Sequence, residues 1–246
     1  MPFFGYYSFY GVDATVLVLM LAAMAFSLYA QFKVNSTFNK YSTVTSSGGR
    51  SAADIARMIL DRNGLSHIRV ERVSGNLTDH YDPKGNVIRL SDSVYGSTSV
   101  AAIGVAAHEC GHAVQYGVNY APIKLRAAII PATRIGSNLA MPLILLGILM
   151  STAGSVQNNF GITIAYIGVA LFSLSTVFQL ITLPVEFNAS NRALATLEGD
   201  SILSDAELKG AGKVLSAAAM TYVAALAVSL VNLLRMIALV NNRRRD

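Results

Sequence analysis

Four stretches of the chain are almost continuously apolar, at about 12–30, 139–155, 160–183 and 214–240. Each approaches the roughly 20 helical residues that a hydrocarbon layer requires, so the pattern predicts four membrane spans, the second of them the shortest. Between the first and second spans the pattern turns periodic. After the polar linker "YSTVTSSGGR", the segment "SAADIARMILDRNGL" opens on Ser51 with Asp54 three residues on, repeats apolar Ile55, Met58 and Ile59 at helical spacing, and stops at Asn63-Gly64. That is a short amphipathic helix. "HIRVERV" and "NVIRLS" are short β-prone runs separated by the turn residues "DPKG", which predicts two strands joined by a turn. Ser97, Thr98 and Ser99 then offer N-caps for a helix over about 100–116.

The expected organisation is an N-terminal anchor (1–30), a soluble α+β module (31–138), a transmembrane hairpin (139–183), a helix and loop (184–213), and a C-terminal hydrophobic helix with a basic tail (214–246). The fold class expected is a mainly α membrane protein of about four transmembrane helices, with the module inserted between the first and second. "MPFFGYYSFYGVD" contains no Lys or Arg, so the first span lacks a secretory n-region and reads as a retained anchor.

Composition agrees with a membrane class: 53% of residues are hydrophobic, 13% are charged, and the mean hydropathy is +0.47. Of the 19 Lys and Arg, 12 lie between residues 31 and 138, which by the positive-inside rule places that segment in the cytoplasm and the N-terminus outside. The tail "NNRRRD" runs against this vote. The basic balance is therefore explained by topology, and no aromatic-basic interleaving of a nucleic-acid surface is present. The single cysteine, Cys110, excludes an intrachain disulfide and a cysteine zinc cluster and reads as a small packed side chain.

The chemistry lies in "VAAHECGHAVQY". On a helix His108 and His112 lie one turn apart on one face, able to present two imidazole nitrogens to a single ion, and Glu109 sits beside them. This is the H-E-x-x-H arrangement, in which the histidines bind zinc and the glutamate takes the proton of the metal-bound water. In a shuffled chain of this composition it is expected on the order of once in a thousand, so chance is a poor account of it. A catalytic zinc wants a third protein ligand. Among His67, His80, Glu71, Glu186, Glu198 and Glu207, Glu186 stands out, because "LPVEFNASNRAL" places it at the start of a helical run just after an apolar span and Pro184. Two spans separate it from His112, which returns the chain to the same membrane face. Ser190, one turn further on, faces the same way and can hydrogen-bond a ligand.

"DHYDPKGNVIRLSDSVYGSTSVAAIGVAAHECGHAVQY", "LPVEFNASNRAL" and "AAAMTYVAAL" together resemble the YugP-type neutral zinc metallopeptidases, over about residues 31–235. The chain is more distantly similar to the HtpX-like and CAAX-prenyl-type membrane proteases, whose ligand glutamate is followed four positions later by an aspartate. Here that place is Ser190. The resemblance implies a zincin-like module and metallopeptidase activity, with His108, His112 and Glu186 as zinc ligands and Glu109 as the base; it supplies no substrate. It also draws attention to His80, which either polarises the scissile carbonyl or is a turn histidine held by Asp79 or Asp82, with Tyr116 and Arg192 as further oxyanion candidates.

The expected function is therefore membrane-embedded zinc metalloendopeptidase activity on unfolded or membrane-associated polypeptide, in membrane protein processing or quality control, with the lipid bilayer and no nucleic acid as partner. The chain is expected to be multi-pass in the cell membrane with its active site on the cytoplasmic side. The alternative is a catalytically silent scaffold that keeps a structural zinc site, which has no need of Glu109. Residues 86–91 are expected to form either the sheet edge nearest the metal, where an extended substrate adds a strand, or a hairpin strand whose Val87, Ile88 and Leu90 pack into the core.

Overall fold

The computed structural model describes residues 8–9, 12–153 and 159–245. Most of "MPFFGYYSFYGVD" and of the loop "SVQNNF" lies outside the described residues. In chain order the elements are β1 (Ser8–Phe9), β2 (Val12–Asp13), α1 (Ala14–Ser42), α2 (Ala52–Arg62), β3 (Arg69–Val73), β4 (His80–Asp82), β5 (Val87–Ser91), α3 (Val100–Gly117), α4 (Ala121–Ala153), α5 (Asn159–Gly199) and α6 (Asp205–Arg245). The protein is mainly helical, and α1, α4, α5 and α6 are each long and apolar enough to cross a membrane. All four outrun the apolar stretches that announced them, because polar turns extend a helix without altering its hydropathy signal.

The chain divides into two compact units. The first comprises Met1–Tyr29, Leu125–Thr182 and Val223–Asp246. Its helices meet where side chains are smallest: a Cβ at Gly168 would strike the Ala140 carbonyl, and one at Gly136 the Leu171 carbonyl. In lipid, close packing of this kind and interhelical hydrogen bonds are what hold helices together. The Thr176 and Ser229 hydroxyls, 2.8 Å apart, supply one such bond between α5 and α6. Leu145 and Leu149 are exposed, as suits residues facing hydrocarbon.

The second unit comprises Ala30–Lys124 and Leu183–Tyr222. Helix α2 starts as its sequence dictates: Ser51 Oγ accepts from the Asp54 backbone N–H. Ser99 does the same for α3 through Ala102 N–H. The far end of α3 closes on Asn119, whose φ of 57° lets Tyr120 N–H reach back to the Gln115 carbonyl. At the start of α6, Glu207 accepts from Ser204 N–H and also from Ser47 N–H, tying the turn after α1 to that helix end. Ile55, Ile59 and Leu60 of α2 pack with Ile103, Ala106 and Cys110 of α3 in one buried cluster. The Cys110 thiol lies 3.5 Å from the Ala56 carbonyl, and burial pushes its pKa far up, so it is the packed side chain that its surroundings suggested.

Two expectations fail here. The sheet has three strands in the order β3-β5-β4, with β5 parallel to β3 and antiparallel to β4. The run 86–91 is therefore the centre of the sheet, and its buried Val87, Ile88 and Leu90 are core residues. The edges are β3 and β4. Strand β4, "HYD", is short and polar, so it carried no alternation to reveal it. It turns into β5 through Asp82, whose carboxylate accepts from Lys84 and Gly85 N–H. Helix α5, in turn, does not restart at Pro184: it runs unbroken from Asn159 to Gly199, which puts Glu186 in the middle of a helix. A proline removes one donor and crowds one turn, and a long helix absorbs that.

Among the described glycines of this unit the tightest approach is between α3 and α5, where a Cβ built on Gly111 would lie 2.6 Å from the Ala189 carbonyl oxygen. Backbone cannot yield as a flexible side chain does, so even one methyl group must push the helices apart. Gly111→Ala is expected to cost about 1–3 kcal/mol as overpacking, read as a lowered thermal unfolding midpoint in detergent; an unchanged midpoint would show that the two helices separate freely.

Candidate metal centre

The close approach at Gly111 is flanked along α3 by His108 and His112, and along α5 by Glu186 and Ser190. The side chains of His108 and His112 are 13% and 11% exposed, and that of Glu186 only 2%. Glu186 Oε2 lies 3.3 Å from His108 Nε2 and 3.4 Å from His112 Nε2, and one donor atom from each of the three residues falls within 4.8 Å of the others. Ligand bonds of about 2.0–2.1 Å at the corners of a tetrahedron put donor atoms about 3.3–3.4 Å apart. The two separations to Glu186 match that edge length. Two imidazoles and one carboxylate are donor types that a catalytic zinc uses, with a fourth position left for water or substrate. The residues present fit the ion.

The remaining ring nitrogens are engaged on the outside. His108 Nδ1 lies 3.1 Å from Ser190 Oγ, and His112 Nδ1 lies 3.0 Å from Gln115 Oε1. Such contacts hold a ligand ring in orientation and direct its other nitrogen inward. Burial alone would lower the pKa of His112, but the hydrogen bond to Glu186 and the charges of Glu109 and Glu186 outweigh it and hold it above the ordinary imidazole value. The pocket is thus one that attracts positive charge.

Glu109 is buried and opens with His108, Glu186 and Ser190 onto a cavity of about 190 Å³. The rest of its wall is largely apolar, with Phe38, Val105, Val214, Leu215, Ala219 and Tyr222. Asp79 lies at its border, its carboxylate accepting from Ser91 N–H at 2.7 Å and Ser91 Oγ at 2.9 Å. Burial raises the Asp79 pKa and the charge of Glu109 adds to this, against the lowering by the Ser91 donors.

The other sequence candidates are elsewhere. His67 is exposed; Glu71 pairs with Arg69 and Arg89; Glu198 is exposed; Glu207 caps α6. His80 is exposed on β4, with Nδ1 2.9 Å from the Thr78 carbonyl and Nε2 3.5 Å from Arg89 Nη1, so neither Asp79 nor Asp82 is what holds its ring. Tyr116 meets Tyr81 edge to face at 5.7 Å, and Arg192 donates to Asn188. None of His80, Tyr116 or Arg192 lines the cavity. Sequence reasoning missed Gln115 and Asn188, and considered Asp79 only as a partner for His80. Gln115 had a signal, as the one amide on an apolar helix three residues past His112; the Asp79–Ser91 pair had none, since it depends on how β4 meets β5.

Comparison with known proteins gives the same picture. The chain is 47% identical over 230 residues, 94% of this chain and 98% of the relative, to a Bacillus subtilis (strain 168) protein described as "Putative membrane protease YugP". No solved structure matches. The family described as "Putative neutral zinc metallopeptidase" matches residues 16–241, nearly the whole length, and the chain belongs to that family.

Proposed function

We propose that this protein is a membrane-embedded zinc metalloendopeptidase with His108, His112 and Glu186 as metal ligands and Glu109 as general base. The observation that carries this reading is the convergence of His108 and His112 Nε2 on Glu186 Oε2, each at the edge length of a zinc tetrahedron, with a buried carboxylate facing the same cavity. Bound zinc supplies a Lewis acid that polarises a carbonyl and makes water acidic enough to lose a proton near neutral pH. Glu109 accepts that proton as the water oxygen bonds to the peptide carbonyl carbon. It then returns the proton to the amide nitrogen as the carbon–nitrogen bond breaks, releasing an amine and a carboxylic acid whose remaining proton goes to solvent. A structural site would not need a carboxylate on that wall, which favours the enzyme over a silent scaffold.

The substrate class follows from the surroundings. The apolar wall of the cavity suits a medium-sized apolar side chain next to the scissile bond. An extended segment pairs at a sheet edge, and the edge that packs on α3 is β4. Both features favour flexible, apolar-rich polypeptide, as in processing or quality control of membrane proteins. We read the α+β segment between the first and second spans as a water-exposed module on the cytoplasmic face of the cell membrane, from the concentration of Lys and Arg there.

Three measurements check this. Purified wild type should carry about one zinc per chain and hydrolyse an unfolded peptide; Glu109→Gln should keep the metal and lose activity by about three orders of magnitude or more, the upper part of the range for a positioned base. His112→Ala and Glu186→Ala should each lose zinc while remaining membrane-inserted, and full retention in both would remove the ligand assignment. In a Cys110→Ala background, thiol labelling should find cysteines at positions 40 and 209 accessible from one side and at 158 from the other. Opposite sides for 40 and 209 would contradict the topology.

A further inference from the structure

Beyond the ligands, α3 and α5 are joined by a polar chain whose members are Gln115, Asn188 and Arg192. Gln115 is fully buried. Its Nε2 lies 2.8 Å from the Val185 carbonyl oxygen and 3.0 Å from Asn188 Oδ1, and Asn188 Oδ1 accepts from Arg192 Nε at 2.8 Å. The other end of the Gln115 amide meets His112 Nδ1.

Hydrogen-bond roles along this chain are forced in sequence. A guanidinium N–H only donates, so the Asn188 atom facing Arg192 is its carbonyl oxygen. That oxygen and the Val185 carbonyl only accept, so the Gln115 atom facing both is its NH2. The amide oxygen of Gln115 therefore faces His112, and a carbonyl oxygen only accepts, so His112 Nδ1 carries a hydrogen. The lone pair of the neutral ring is then on Nε2, the nitrogen that faces Glu186. His108 differs, because a serine hydroxyl both donates and accepts and leaves its tautomer open.

We propose that Gln115 is a positioning residue that fixes His112 in its Nδ1–H tautomer, and that Arg192, through Asn188, reinforces the orientation that the Val185 carbonyl gives the Gln115 amide. This rests on the metal-site reading above and goes further in assigning the tautomer to a residue that touches neither metal nor cavity. Removal of such a ligand's outer partner typically lowers metal affinity by about 10–100-fold. One consequence separates this arrangement from the common case in which a carboxylate strengthens a histidine ligand. Glutamate at position 115 would keep an acceptor for His112 but aim its second oxygen at two oxygens that only accept.

The test uses full-length protein in detergent, with ¹⁵N-labelled histidine and zinc as the probe. In the zinc-loaded wild type, long-range ¹H–¹⁵N correlation should show His112 protonated at Nδ1 and metal-bound at Nε2; binding through Nδ1 overturns the proposal with no variant needed. By chelator competition, Gln115→Leu should bind zinc about 10–100-fold more weakly, and Gln115→Glu should recover none of that loss. Arg192→Leu should lose part of the affinity and Arg192→Lys, which still donates, should regain it. Affinity within twofold of wild type for both Gln115→Leu and Arg192→Leu, or strengthening by Gln115→Glu, overturns it. If Gln115→Leu fails to fold, the wild-type spectrum and the Arg192 pair decide. Undiminished zinc in His112→Ala would instead show that the ligand assignment itself is wrong, a result distinct from either.

Discussion

The contact between the backbones of α3 and α5 at Gly111 and Ala189 is the constraint on which the site depends. A carboxylate side chain is short, and Glu186 reaches both imidazoles only because nothing larger than hydrogen separates the two helices at that level. Several features follow from this distance. The caps at Ser99 and Asn119 fix where α3 begins and ends, and the Gln115 amide bonds to the α5 carbonyl at Val185. Ser190, one turn past Glu186, falls beside His108. Packing comes first and donor geometry follows from it.

Much of this was legible because the chemistry is written at helical spacing. Two histidines four apart, a glutamate between them and a serine cap ahead need only the helix period to be placed. Glu186 was legible for another reason, as an acidic residue at the border of an apolar run that needs a partner. The sheet was not. A three-residue strand of polar residues has no pattern to detect, and without β4 the central strand looks like an edge. Pro184 misled in the other direction, since local propensity argues for a break that the packing of a long helix overrides.

The polar chain from Arg192 to His112 was illegible for a third reason. Arg192 and Asn188 lie one turn apart on one helix, Gln115 on another, and their relation exists only once the two helices touch. Arg192 attracted notice as a cation that could face a reacting oxygen, whereas its place is at the far end of a hydrogen-bond chain that leads through Asn188 and Gln115 to His112. Residue type narrowed the candidates; only position assigned the role.

The burial of Cys110 also bears on which metals the centre accepts. Thiolate is the softest and strongest zinc donor that proteins offer, and this one sits in sequence between Glu109 and His112. Turned toward the Ala56 carbonyl and kept protonated by burial, it is withheld from coordination. The proposed donor set therefore stays at two imidazoles and one carboxylate, borderline in hardness. An ion held there would not meet the Cys110 thiolate, the kind of donor that thiophilic ions such as cadmium, mercury and cuprous copper favour.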